Sequence, residues 1–161
     1  MEPRIENLIE KKVIGKRIRT SLSNNKTFEL WHSFMPRRME IKNRTNTDLL
    51  SISVYDTSMD FENFSPQAEY DKWAAAEVTD FNSIPDGMEP LTIESGLYAV
   101  FIHKGAASDG TKTFRYIFGT WLPNSDYVID TRPHFEILGS KYKNNDPDSE
   151  EEIWVPVKKR E

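Results

Sequence analysis

Glu136 is the residue of this chain best placed to do chemistry. It stands in His134-Phe135-Glu136-Ile137-Leu138, an apolar run that follows Arg132-Pro133 and stops at Gly139. A strand turns successive side chains to opposite faces, so Phe135 and Ile137 share one side and Glu136 takes the other. There the carboxylate either meets water or enters a concave site as a lone anion. An unpaired buried carboxylate is expensive, so the second case requires a cationic or hydrogen-bonding partner. Such a group would supply charge complementarity to a cation without demanding a precise ligand shape.

Other chemistries are narrowed by what the chain lacks. Cysteine is absent, which removes disulfides, thiolate metal sites and cysteine nucleophiles. The histidines, His32, His103 and His134, are too few to suggest a histidine metal site. Lys143-Asn144-Asn145-Asp146-Pro147-Asp148-Ser149-Glu150-Glu151-Glu152 is acidic but lacks EF-hand spacing, and reads as a solvated turn. No metal and no cofactor are expected. The net charge of −5 argues against general nucleic-acid binding. The basic residues Arg37, Arg38, Lys42 and Arg44 read as a solvated helix end, where cations complement the helix dipole. His103 at a strand end reads as a structural hydrogen-bonder. Met1–Glu10 has no apolar signal core, and no run reaches the ~20 residues of a membrane span, so a cytoplasmic protein without membrane contact is expected. Aromatic residues, by contrast, make up 12% of the chain and include four tryptophans, more than a core needs. Flat rings with a polar handle suit a ligand pocket.

Something must position these groups. Leu30-Trp31-His32-Ser33-Phe34-Met35-Pro36 carries apolar pairs at helical spacing and ends at proline. Ile117-Phe118-Gly119-Thr120-Trp121-Leu122-Pro123 repeats the pattern. Before the first helix, Val13–Thr20 reads as a strand; after it, Leu50–Tyr55 and Trp73–Val78 do. The Ala74–Ala76 run favours helix by propensity, but its place in the repeat argues for a strand. Before the second helix lies Tyr98–His103; after it lie the Glu136 strand and Ile153–Val157. Ile84–Pro90 reads as an irregular connector, and Pro156 marks its strand as an edge or a bulge. The expectation is an α+β fold in one domain spanning residues 1–161. Two βαββ repeats, about 12–80 and 92–159, would form antiparallel sheets with one helix each and a groove between the halves.

The runs GLYAVFIHKG, WLPNSDY, RPHFEILG and EEEIWVPVK, with FMPR, SISVYD and KWAAAEV before them, resemble the GyrI-like small-molecule-binding domain. That family supplies the effector-binding domain of AraC-type and MerR-type multidrug-responsive regulators. The resemblance implies two pseudo-symmetric repeats around a central cleft. Aromatic side chains would line that cleft, and a carboxylate at its base would contact lipophilic cations. It places Glu136 at the carboxylate position, Trp154 at the aromatic before the final proline and Tyr98 at the strand opening the second half. Pattern and pseudo-symmetry add Tyr55, Trp73 and Trp121. The expected function is stand-alone binding of hydrophobic, possibly cationic, small molecules. The chain leaves no room for a helix-turn-helix module, so no direct nucleic-acid contact is expected. The family also implies two other roles: hydrolysis of strained electrophiles, with Glu136 as general base beside Tyr55 or Tyr98, or interaction with a protein partner, as in gyrase-inhibiting members.

Overall fold

Alternating burial along short apolar segments builds a sheet of nine strands in the computed structural model, which describes residues 2–61, 64–106, 110–143 and 146–161. The strands are β1 (Arg4–Leu8), β2 (Lys11–Thr20), β3 (Leu49–Val54), β4 (Tyr70–Val78), β5 (Glu89–Ile93), β6 (Gly96–Lys104), β7 (Tyr127–Ile129), β8 (His134–Leu138) and β9 (Glu150–Lys159). Helix α1 (Thr27–Phe34) follows β2, and α2 (Gly110–Tyr116) follows β6. The strand order is β1-β6-β9-β8-β3-β4-β2-β5, all antiparallel, with β7 added beside β9. Two sheets were one possible arrangement of the halves. Pairing of β3 with β8, Ser51 opposite Glu136, joins everything into one.

The alanine run is extended, as its position in the pattern suggests: Ala74–Ala76 lie inside β4, all fully buried. Small side chains are required there on both faces. A Cβ on Gly15 of β2 would collide with the Ala74 carbonyl oxygen and with Ala75, so only glycine fits that approach. Pro36 stops α1 at Phe34, and the chain runs on as a 3₁₀ turn over Met35–Glu40. Helix α2 continues into a π turn over Ile117–Trp121.

Two expectations need correction. The Ile84–Pro90 connector is shorter than its composition suggests, because β5 begins at Glu89 and pairs with β2. Gly87, at φ +80, turns the chain just before it. Pro156 does not sit on an edge strand: β9 lies between β6 and β8. The proline is tolerated because β8 pairs only as far as Trp154 and β7 only from Val157. At that junction the Pro156 carbonyl accepts the Asp130 N–H at 3.0 Å, and the missing proline N–H faces the same gap.

Register sorts the side chains onto two faces. On one, Ile52, Trp73, Tyr98, Phe135 and Trp154 form an apolar cluster that no helix residue joins. Leu8 of β1 and Ile93 of β5 belong to it, although their strands end the order at opposite sides. The sheet therefore curls, and this face closes on itself. The other face carries the helices in two separate patches. Leu30 and Phe34 of α1 pack on Ile14, Ala74 and Ala76, and Ile117 packs on Phe101, Ile153 and Val155. Between those patches lie the middle strands β3 and β8.

A pair of carboxyl groups between the helices

What β3, β4 and β8 present between the helix patches is polar. Ser51 stands opposite Glu136 and Ser53 opposite His134, while Lys72 of β4 stands opposite Ser53 and donates to its Oγ at 3.1 Å. Parity gives this outcome: Phe135 and Ile137 join the apolar cluster, so Glu136 must point the other way. Glu151 joins it from the next strand. In β9 it shares a face with Ile153, which is opposite Glu136, and it is only 9% exposed.

These groups set one another's charge. Burial raises the Glu151 carboxyl well above the usual carboxylate range; the Glu136 carboxylate and a hydrogen bond with it add to the rise, and Lys72 opposes it. Burial lowers Lys72, while Glu136 and Glu151 hold it back up. Tyr55 and Tyr70 are raised by burial and further by Glu136. Tyr142 is raised by burial, then by Glu151 and Glu136. Six ionisable side chains thus share one pocket of charge.

Aromatic rings wall the strip on the α2 side. Phe114, Phe118, Phe61 and His134 stack in sequence, with centroids 6.2, 5.8 and 5.5 Å apart. Tyr55 lies edge-on to both Phe61 and His134, at 5.1 and 4.9 Å, and leans on Tyr70 at 4.9 Å. A cavity of about 150 Å³ opens beside them, lined by Tyr55, Met59, Phe61, Arg132 and His134 among others. A larger hollow of about 460 Å³ at Asp126, Tyr127 and residues 159–161 shares no residue with this site.

His134 is held neutral: burial pushes its imidazole down to about 3 from 6.5, and the nearby Lys72 cation adds to the effect. The unfolded chain takes up that proton near 6.5, so the stability linked to it is complete above that pH and declines toward 3. Relative to His134→Phe, the wild type is expected to lose up to about 1.4 kcal/mol per pH unit on acidification through that window. Urea titrations at pH 7, 5.5 and 4.5 measure the difference; parallel curves would show that the ring protonates freely in the folded state.

Of the residues expected at a binding site, Glu136 and Tyr55 come together. Tyr98, Trp73 and Trp154 do not: they lie on the opposite, self-closed face, where Trp154 stacks on Phe135 at 5.2 Å and Tyr98 donates to the Pro133 carbonyl at 2.7 Å. Trp121 is in the α2 core, edge-on to Phe101 at 5.2 Å and stacked on Tyr127. His103 is structural as expected, its ring nitrogens bonded to Thr113 Oγ1 and the Ala106 carbonyl. Lys72, Tyr70, His134 and Glu151 escaped the sequence reading. Glu150–Glu152 are strand, not a solvated turn, while Asn144 and Asn145 of that segment lie outside the described residues. Among the described residues no cluster of three or more His, Asp or Glu side chains could hold a metal, and no helix is long and apolar enough to cross a membrane.

A curled antiparallel sheet with two helices on one face, and a charged, aromatic-walled strip between them, defines an α+β ligand-binding domain. The chain belongs to the GyrI-like small molecule binding domain family, whose model matches residues 1–158. It is 25% identical over 146 residues to the transcriptional regulator BrlR of Pseudomonas aeruginosa, covering 90% of this chain and 51% of that protein. The chain thus spans about half the length of that curated relative. Among solved structures it resembles the EcmrR C-terminal domain (TM-score 0.71, 17% identity, 99% of this chain and 98% of that one). It is also similar to SAV2435 bound to tetraphenylphosphonium (TM-score 0.68, 16% identity, 98% and 94%). At these identities the structural likeness speaks for the fold.

Proposed function

We propose that this chain binds a hydrophobic, positively charged small molecule in a cleft at the middle of the sheet, between α1 and α2. The observation that carries the reading is the Glu136 carboxylate on the polar strip, with Tyr55, Tyr70 and the stacked rings of Phe61, His134 and Phe118 beside it. Flat rings attract an apolar cation by roughly 0.5–2 kcal/mol per contact. The carboxylate supplies the opposite charge without demanding a particular ligand shape. Strand order supports two related halves meeting at this cleft: outward from the β3–β8 pair it runs β4-β2-β5 on one side and β9-β6-β1 on the other.

The cavity beside these rings, about 150 Å³, is smaller than the ~300 Å³ at which drug-sized pockets begin, and Tyr55, Phe61 and His134 line it while Glu136 does not. The Phe61 ring lines that cavity and is stacked between His134 and Phe118. An aromatic ligand takes that slot by displacing the ring. Tetraphenylphosphonium, the molecule bound to the fold relative SAV2435, is the natural probe, and tetraphenylborate is its anionic counterpart of matching shape. Fluorescence titration is expected to give micromolar binding of the cation and none of the borate. Equal binding of the two, or binding of neither, would defeat the proposal. Recovery of chemically altered ligand from an activated electrophile would instead mark a hydrolase that uses Glu136 as its base.

A further inference from the structure

The charges on the strip do not balance for a cation if Glu136 is counted alone. Lys72 is already there, a half-buried amine that donates to Ser53 and is drawn toward its charged form by Glu136 and Glu151. One ionised carboxylate would be neutralised by Lys72 before any ligand arrived. The second acid changes this. Glu151 and Glu136 project from adjacent strands onto the same face, two residues apart in register, where each carboxyl acts on the charge of the other. Two carboxyl groups on one face of neighbouring strands, one of them only 9% exposed, repel when both are ionised, and one proton held between them removes that repulsion.

We infer that the Glu136–Glu151 pair stores one proton and releases it when a cationic ligand binds, so that entry of the cation is an exchange of cation for proton. The inference rests on the binding reading above and assigns Glu151 a role within it. Without ligand, Lys72 and the singly protonated pair sum to zero. With a monovalent cation present, loss of the proton makes the pair doubly negative, and the sum with Lys72 and the ligand is again zero. The site stays neutral in both states, which the partial burial of its charges favours.

Other ionisable groups also face the pair. Tyr55, Tyr70 and Tyr142 face it from the β3–β4 segment, from β4 and from the chain after β8, and each is pushed toward its neutral form. His134 of β8 is kept neutral beside Lys72. His103 of β6 stands directly opposite Glu151 in register, with its ring nitrogens hydrogen-bonded to Thr113 and Ala106. Lys72 and His103 are the competing sources, and the test must separate them from the acids.

Calorimetric titration with tetraphenylphosphonium in phosphate, Hepes and Tris at pH 7 measures the protons released, as the slope of heat against buffer ionisation enthalpy. The expected result is about one proton per cation bound, with affinity rising about tenfold per pH unit while the pair still holds its proton. Glu151→Gln should bind the cation more weakly and release none. Lys72→Met should bind it more tightly and need no proton exchange to stay neutral. Binding by the wild type without proton release would overturn the exchange while leaving the binding reading intact. Undiminished release from Glu151→Gln would move the proton to Lys72 or His103 and overturn it as well. Absence of any binding, checked by fluorescence, would defeat the binding reading and the exchange with it.

Discussion

Glutamine in place of Glu136 is expected to weaken tetraphenylphosphonium binding by about 30-fold or more, since losing one partner of a buried charge pair costs 2–5 kcal/mol or more. The charge count explains why the effect should be large despite a second acid nearby. In Glu136→Gln the remaining Glu151 carboxylate balances Lys72, and an incoming cation finds no negative charge left for it. Glutamine keeps the shape of the side chain, so the native fold and its melting temperature should change little. Titration of both proteins in one buffer measures the ratio. Affinities within threefold of each other would remove the carboxylate from recognition and leave the aromatic wall to carry it.

The largest expected effect on stability lies one residue earlier. Phe135 is 2% exposed, stacked on Trp154 at 5.2 Å and tilted against Tyr98 at 5.3 Å. No helix can slide in to fill a gap on that face, because only strands from a curled sheet meet there. Phe135→Ala should therefore cost about 3–5 kcal/mol, at the upper range for a large-to-small core change. Against a typical domain stability of 5–15 kcal/mol this is a large share. Urea unfolding should show a lowered midpoint with an unchanged slope. Phe28→Ala, at a ring 79% exposed on α1, should stay within about 0.5 kcal/mol. A Phe135→Ala loss of under 1 kcal/mol would mean that the helix-free face is not a tightly packed core.

Phe135 and Glu136 also mark what parity along a strand can and cannot tell. That they point in opposite directions was legible in five residues of sequence, as was the extended state of Ala74–Ala76 from its place in the repeat. Parity also groups Trp154 with Pro156, and Trp73 with Ala75. It does not say which face of a sheet holds the cleft when both faces are buried. In this chain the face opposite the helices is closed by curling of the sheet, a property of strand order that no single segment encodes. Tyr98, Trp73 and Trp154 were therefore plausible wall residues that the fold turns away from Glu136. Glu151 shows the complementary loss. Among neighbouring glutamates it looked like part of an acidic turn, although it shares parity with Ile153, Val155 and Val157. Extending the alternation back through Glu151 would have exposed it. Lys72 carried a similar signal, being in step with Ala74 and Ala76. The edge strands β1 and β5 were missed because edges are half solvated: β1 reads as charged and β5 as a proline-bearing linker.

The strand order also fixes when the site comes into being. Strand β9 lies between β6 and β8 and is synthesised after both. Until residues 150–159 have emerged, β6 and β8 have no common partner, Glu136 lacks Glu151, and the helix-free face lacks Trp154. Strand β1 waits in a similar way, because its partner β6 begins at Gly96. At roughly 5–20 residues per second, that strand edge stays unpaired for several seconds of translation. Contacts this distant in sequence make for slow folding. A ribosome-stalled chain that stops before β9 should therefore expose the apolar edges of β6 and β8 together and recruit chaperones, whereas one that includes β9 should not.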